Sequence, residues 1–307
     1  DVFCRFYNLE RYIAVPLIVQ ASREADPVLY FLQNTNIKLD RISIDDVFLH
    51  CKHITTSNDG LESFMRYGLL SLASALSKDT PLKKFLSDNG IEIDVPNMKF
   101  QFEGRTSYLH NYHSDCTECF YGSCQFERIN WDGEVDIDYK NLHCPFREKT
   151  RNLSTKLYTD RAEIEVHLSG NDQEIHGYSA VKRYPEILLT IEEMIESVFG
   201  TEVELSKKWQ NQQNEKYYCV DFDVNIRDFE RITFAPRYER YLLFPYLEFC
   251  SVEYDDLPEC NPNFYGNIFL ISKTITALTE GFHSLYGAIL PDVEIPFDRL
   301  VIEEHQI

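Results

Sequence analysis

Two glutamates on one predicted strand are the first candidates for a chemical role, because their position has no evident benefit for folding. Glu163 and Glu165 lie in KLYTDRAEIEVHL, residues 156–168, where the apolar Ile164 and Val166 alternate with polar side chains. This alternation predicts a half-buried strand with both carboxylates on one face. Like charges on one face repel each other, so the arrangement costs energy. Stabilisation of a developing positive charge would explain the cost, and a solvated strand face is the alternative.

A second group of candidate residues lies in the histidine-containing stretch at 45–72. The segment around His53 and Thr55 predicts a strand in which these two side chains point to one face. Residues 57–59 are Ser-Asn-Asp, which favour helix N-caps, and apolar residues then follow at helical spacing until Gly68. The alternative interpretation is a capped strand without a binding role.

A strand ending in His-x-Thr, followed by a short helix that ends near Gly-Leu, resembles the opening of the ADP-ribosyltransferase fold in its histidine-bearing branch. The resemblance covers about thirty residues. It implies that His53 and Thr55 hydrogen-bond the ribose and the carboxamide of NAD. It also implies an aromatic residue stacked on the nicotinamide, for which Tyr108 is the candidate by order. The family's Gly-x-Tyr-Phe motif is absent here, and a core tyrosine is the alternative.

The sequence Glu163-Ile164-Glu165 resembles the Glu-x-Glu motif of the arginine-type branch of the same superfamily. That branch normally lacks the opening histidine, so this chain combines signatures of two branches. The resemblance implies that Glu163 or Glu165 acts in catalysis with His53. A carboxylate bonded to the ribose 2'-hydroxyl would stabilise the oxocarbenium-like cation that forms as nicotinamide departs.

The segment at 176–194 is similar to a sequence that follows the acidic strand in bacterial anti-phage toxins of this superfamily. Within it, Pro185 predicts the first position of a helix. Arg183 is a candidate clamp for the NAD pyrophosphate, and pairing with Glu186 or another carboxylate is the alternative. The nearest similarity is to the enzyme of a toxin–antitoxin–chaperone defence locus. It implies an antitoxin, a chaperone and messenger RNA as partners, and the acceptor class stays open.

A Cys/His-rich insertion at 110–145 contains the CxxC motif Cys116-Thr117-Glu118-Cys119. This spacing lets two thiolates hold one tetrahedral zinc ion, and Cys124 with Cys144 or a histidine would complete four ligands. Such a site would be structural because no open coordination position is left. The alternative is a reduced insertion without metal.

Charge and cysteine content limit the partners and the cellular compartment that we expect for this chain. The 307 residues carry a formal net charge of −20, which opposes non-specific attraction to phosphate and favours a basic partner. Nine cysteines, an odd number in a large chain, favour a reducing cytoplasm. The chain contains neither a long apolar run nor a secretory pattern, so we expect a cytoplasmic protein without a membrane partner.

These observations predict an α+β fold. We expect a helical lead-in at 1–40 and one ADP-ribosyltransferase-like domain at 41–307, with a split β-sheet core and the Cys/His-rich insertion. The predicted function is NAD-dependent mono-ADP-ribosyl transfer to RNA or protein. A non-catalytic zinc-stapled interaction module and an NAD glycohydrolase on the same scaffold are the alternatives.

Overall fold

Helices and antiparallel strands both contribute to the structure, which confirms the predicted α+β class. A computed structural model describes residues 1–109, 150, 152–154, 156–157, 164–168, 181–212, 216–232, 246, 248–251, 261–280, 286–290 and 292–307. The helices are α1 (Val2–Phe6), α2 (Arg11–Ala21), α3 (Pro27–Gln33), α4 (Glu62–Tyr67), α5 (Leu72–Ser77), α6 (Pro81–Asp88), α7 (Ile187–Phe199), α8 (Leu205–Gln212) and α9 (Pro262–Thr279). The strands are β1 (Phe48–Thr55), β2 (Ile91–Asp94), β3 (Lys99–Phe102), β4 (Arg105–Tyr108), β5 (Ile164–His167), β6 (Lys216–Asn225), β7 (Phe229–Ile232), β8 (Tyr286–Ile289) and β9 (Val301–Gln306).

The N-terminal segment is helical, as its apolar spacing predicts. Asp26 caps α3 by accepting a hydrogen bond from the Leu29 backbone N–H at 3.0 Å, and Pro27 occupies the first turn. Proline usually interrupts a helix, but Pro16 lies inside α2. A proline there removes one backbone hydrogen bond and leaves the carbonyl of Tyr12 without its usual donor. The Tyr12 side chain is 76% exposed, so this part of α2 lies at the surface.

The N-cap of α4 is Leu61, without a side-chain cap bond, so the expected caps at 57–59 lie before the helix; Asp59 nevertheless bonds to its first turn. The Asp59 carboxylate accepts hydrogen bonds from the Ser63 N–H at 3.1 Å and from the Ser63 hydroxyl at 3.2 Å. The helix ends at Gly68, where φ is +70°. A Cβ at Gly68 would lie 2.0 Å from the Ile295 carbonyl oxygen, so close backbone approach requires glycine. Leu69 and Ile295 exchange the adjacent backbone bridge.

Two sheets are present among the described residues. One has three strands in the order β2-β3-β4, with Ile91 opposite Phe102 and Lys99 opposite Tyr108. The other has six strands in the order β7-β8-β5-β1-β6-β9. Strands β1 and β5 are antiparallel in it, and Lys52 is the partner of His167. Two segments that are far apart in sequence are therefore nearest neighbours in the sheet.

The chain divides into two compact units. Unit 1 contains residues 1–52, 166–177 and 221–289, and unit 2 contains residues 53–165, 178–220 and 290–307. The domain boundary near residue 40 stays a prediction, as does the ADP-ribosyltransferase variant of the α+β class. None of the helices in the described ranges combines the length and apolar character needed to cross a membrane.

Each unit has its own apolar core. In unit 1, α2, α3 and α9 bury their facing side chains, among them Ile18, Phe31, Leu32, Phe264, Ile268 and Ile271. In unit 2, the three-stranded sheet packs with α6, α7 and α8 through residues that include Phe85, Phe100, Leu188, Ile191, Ile195 and Trp209. Burial of such large side chains is the main favourable contribution to folding in both units.

Candidate functional site

His53 and Thr55 occupy the last part of β1, and both are half-buried. The residue after the strand, Thr56, is 7% exposed and accepts a hydrogen bond from the Trp209 indole Nε1 at 3.2 Å. Trp209 is 1% exposed in α8, so this bond is protected from water. The strand that carries the predicted NAD-binding pair is therefore anchored at its end by a buried side chain.

A cleft lies beyond the end of β1, in unit 2, between α4 and α6. We call it the α4–α6 cleft; it is lined by residues from 58–67, residues from 79–88 and Gln212, and its volume is about 440 Å³. This size is within the range of small-ligand sites. Asn58, at the margin of the cleft, is three positions after Thr55, and an extended chain of three steps spans at most about 11 Å. The cleft is thus close to the predicted NAD-binding residues.

Only one of the two predicted catalytic glutamates lies among the described residues. The backbone of Glu165 is part of β5, the strand beside β1. Glu163 lies outside the described residues. Lys52 in β1 is the cross-strand partner of His167 in β5, and residues alternate between the faces of a strand, so Lys52 and His53 lie on opposite faces. The structure brings the strand of Glu165 next to the strand of His53 and Thr55. Position 165, however, is two residues from His167 and so lies on the Lys52 face of the sheet, whereas His53 and Thr55 lie on the other face.

Tyr108 and Arg183 lie elsewhere in unit 2. Tyr108 ends β4, an edge of the three-stranded sheet, whereas His53 belongs to the six-stranded sheet. Arg183 is exposed in the turn before α7. Glu186, its expected alternative partner, pairs instead with Lys156, whose Nζ lies 3.1 Å from the carboxylate. The roles of Tyr108 and Arg183 in NAD binding stay predictions.

The predicted zinc ligands Cys116, Cys119, Cys124 and Cys144 lie outside the described residues. In the part of the chain that is described, three or more His, Cys, Asp or Glu side chains nowhere form a group that could hold a metal ion. Zinc binding by these four cysteines therefore stays a prediction.

A charged network in unit 1 was missed from the sequence. Lys52 Nζ lies 3.3 Å from Asp221 Oδ1, and the two side chains are only 16% and 15% exposed. On the same strands, the His50 Nδ1 lies 2.9 Å from Asp223 Oδ1. Between them, Cys51 is fully buried, and burial together with the Asp223 charge raises the pKa of its thiol well above the usual value.

The signal for this network was present in the chain. His50 and Lys52 are spaced by two residues in β1, as are Asp221 and Asp223 in β6, and such spacing places each pair on one strand face. Neighbouring strands with complementary charges at alternate positions pair across the sheet. Only the pairing of β1 with β6 was needed to predict it, and that pairing is not local.

Comparisons with protein-family models, with curated proteins and with solved structures gave no match for this chain.

Proposed function

We propose that this chain is an NAD-dependent mono-ADP-ribosyltransferase of toxin type. The observation that supports the proposal best is that β1, which carries His53-x-Thr55, and β5, which carries Glu165, are neighbouring strands although more than a hundred positions separate them, with position 165 on the face opposite His53. Further support comes from the short helix α4, which ends at Gly68, and from the cleft that opens after β1. This order of strand, helix and acidic strand is what the resemblance implies.

The proposed roles follow from the chemistry of the reaction. His53 and Thr55 would hydrogen-bond NAD as substrate, and Tyr108 and Arg183 would contact its nicotinamide and pyrophosphate. The bond between the ribose C1 and nicotinamide breaks, and its electron pair leaves with nicotinamide. Glu163 or Glu165 would stabilise the resulting cation. An acceptor nucleophile then bonds to C1 and releases a proton.

The proposed setting is anti-phage defence in the cytoplasm. There the acceptor is RNA or protein, and an antitoxin with or without a chaperone restrains the enzyme. The charge of −20 supports a basic restraining surface and does not favour an unassisted RNA substrate. Zinc held by Cys116, Cys119, Cys124 and Cys144 would staple the insertion and would take no part in the reaction.

Labelled NAD tests the proposal. The purified chain is incubated with NAD carrying label in its ADP-ribose part and with cell extract, and the products are digested separately with nuclease and protease. We expect nicotinamide release and label on a macromolecule that only one of the two digestions removes. Glu163→Gln and Glu165→Gln are compared with Glu193→Gln, an exposed α7 glutamate. We expect one of the first two to lose about 100-fold in rate, and the third to match the parent.

Two outcomes would replace the proposal. Release of free ADP-ribose without labelled macromolecules would indicate the NAD glycohydrolase. An absence of both nicotinamide release and label, with the two variants as toxic in cells as the parent, would favour the non-catalytic interaction module.

A further inference from the structure

Strand β9 forms one edge of the six-stranded sheet. Among the described strands its only neighbour is β6, and four of its six residues are exposed. Contacts with β6 hold it in place, since Lys216 Nζ lies 2.7 Å from the Glu304 carboxylate and the Tyr217 and His305 rings stack with centroids 5.1 Å apart. The other side of β9 therefore presents backbone N–H and C=O groups with which an added strand can pair.

Exposed apolar side chains lie beside this edge. A 3₁₀ turn at Phe297–Arg299 contacts α4 and leads into β9 at Val301. Leu61 and Met65 are one helical turn apart at the start of α4, so they share a helix face. The four side chains of this region, which we call the edge patch, are between 36% and 63% exposed: Leu61, Met65, Phe297 and Val301. Exposed apolar groups gathered in one region are typical of interaction sites.

The backbone that carries the edge patch is fixed before any partner binds. The Leu69 N–H donates to the Ile295 carbonyl at 2.9 Å, and Ile295 is only 1% exposed. Asp59 holds the start of α4 by accepting from the Ser63 N–H at 3.1 Å. A preformed surface loses less conformational entropy on binding.

The charge around the edge patch favours a basic partner. Residues 292–307 contain five carboxylates and one arginine, and the exposed Glu62 lies between Leu61 and Met65 in α4. Arg66, the basic residue of α4, is already within 3.7 Å of the Asp79 carboxylate. The formal charge of −20 on the whole chain attracts a basic surface over a longer range.

The same charge opposes pairing of β9 with a second copy of itself. Antiparallel pairing about the centre of the strand would place Glu303 opposite the Glu304 of the second copy. Like charges directly opposite each other on neighbouring strands are destabilising. The edge is therefore suited to a different polypeptide.

We propose that β9 and the edge patch bind an extended, basic segment of a partner polypeptide, which adds to the sheet as a further strand. Backbone hydrogen bonds to β9 provide affinity, and alternate side chains of the segment provide specificity. Val301 and Glu303 share one face of β9, so the segment carries an apolar and a basic residue two positions apart. This binding needs neither NAD nor the proposed transferase activity.

The test is a titration without NAD, using the capped peptide Val-Thr-Lys-Thr-Val-Thr-Lys and two controls. One control has Glu in place of both Lys, and the other is N-methylated at two adjacent central residues, which removes an N–H from each edge of the peptide. We expect the parent peptide to bind at least about 10-fold tighter than either control.

Matched protein variants locate the binding site. Glu303→Lys should weaken binding of the parent peptide by about 5-fold, whereas Glu196→Lys on exposed α7 should have little effect. Val301→Thr keeps a β-branched side chain and should weaken binding by about 3-fold, whereas Val2→Thr, at a 73% exposed position in unit 1, should not. Thermal midpoints show that each variant is folded, and Glu303→Gln removes the charge without reversing it.

Three results would overturn the inference. Equal binding of the parent and N-methylated peptides would exclude strand addition, and equal binding of the Lys and Glu peptides would exclude a basic segment. Glu303→Lys and Val301→Thr proteins that bind like their controls would place the peptide elsewhere. Sedimentation of a dimer that Val301→Thr dissociates would assign the edge to a second copy of the chain.

Discussion

The indole Nε1 of Trp209 donates a hydrogen bond to the Thr56 hydroxyl at 3.2 Å, and both residues are buried. This bond ties α8 to the end of the strand that carries His53 and Thr55. We expect Thr56→Val to lower the free energy of unfolding by about 1 to 3 kcal/mol because the indole N–H would lose its partner. Trp209→Phe should cost about 2 to 4 kcal/mol, since it also leaves a cavity. Urea denaturation measures both.

A protein that carries both Thr56→Val and Trp209→Phe tests whether the hydrogen bond couples the two residues. If the hydrogen bond couples the two residues, the combined loss is smaller than the sum of the single losses. Additive losses would mean that the two side chains act independently and would contradict the assignment.

Gly68 and Gly200 both follow helices and have positive φ, but ψ is −152° at Gly68 and 26° at Gly200, so only Gly200 has the left-handed helical conformation. A Cβ at Gly68 would meet the Ile295 carbonyl at 2.0 Å, whereas no atom of the described residues would lie within 4 Å of a Cβ at Gly200. Gly200→Ala should cost only the left-handed backbone strain, about 1 to 2 kcal/mol. Gly68→Ala should cost more than about 3 kcal/mol because backbone must move. Equal denaturation midpoints for the two variants would show that the close approach at Gly68 is unimportant.

Substitutions of His53 and His50 test the proposed NAD contact, because His53 is the proposed NAD ligand and His50 forms a surface ion pair. They lie on the same strand, and the His50 side chain is 58% exposed beside Asp223. We expect His53→Ala to reduce nicotinamide release by about 100-fold through misplaced substrate. His50→Ala should leave the rate near that of the parent. Similar rates for the two variants would remove His53 from the proposed site.

The Tyr246 hydroxyl donates a hydrogen bond to Asp26 Oδ2 at 2.9 Å. This half-buried tyrosine should make the free energy of unfolding depend on pH in the alkaline range. Burial first, and then the bond to Asp26, raise the pKa of Tyr246 above its unfolded value of 10.0. Because the folded state keeps a proton that the unfolded state loses, this contribution is present below pH 10.0 and declines as pH rises above it. Tyr246→Phe should lower stability at neutral pH and flatten the alkaline decline.

Tyr12→Phe, at a 76% exposed position, is the control for this change. Its urea midpoint should follow the parent at every pH. A Tyr246→Phe protein with the same alkaline slope as the parent would show that other groups cause the decline.

Local sequence patterns were sufficient for most elements. The alternation of side chains located β1 and β5, Gly68 located the end of α4, and Pro185 located the start of α7 to within two residues.

Polar contacts between residues that are distant in the sequence could not be predicted from local patterns. Asn267, fully buried in α9, donates to the carbonyls of Leu39 and Ile42 at 2.9 Å and accepts from Tyr7 at 2.8 Å. Nothing near Asn267 in the sequence indicates these partners. The Lys52–Asp221 pair was missed although both strands carry charges at alternate positions, because the pair depends on which strands become neighbours.

The interleaving of the two units has a consequence for how the protein is made on the ribosome. Ile37 packs in a core with Ile268, which is synthesised 231 residues later. At elongation rates of about 5 to 20 residues per second that interval is roughly 10 to 50 s, during which the helices of the first segment have emerged without the helix that covers them. The nascent chain therefore presents apolar surface throughout most of its translation, so protection at the exit tunnel should raise the yield of active protein.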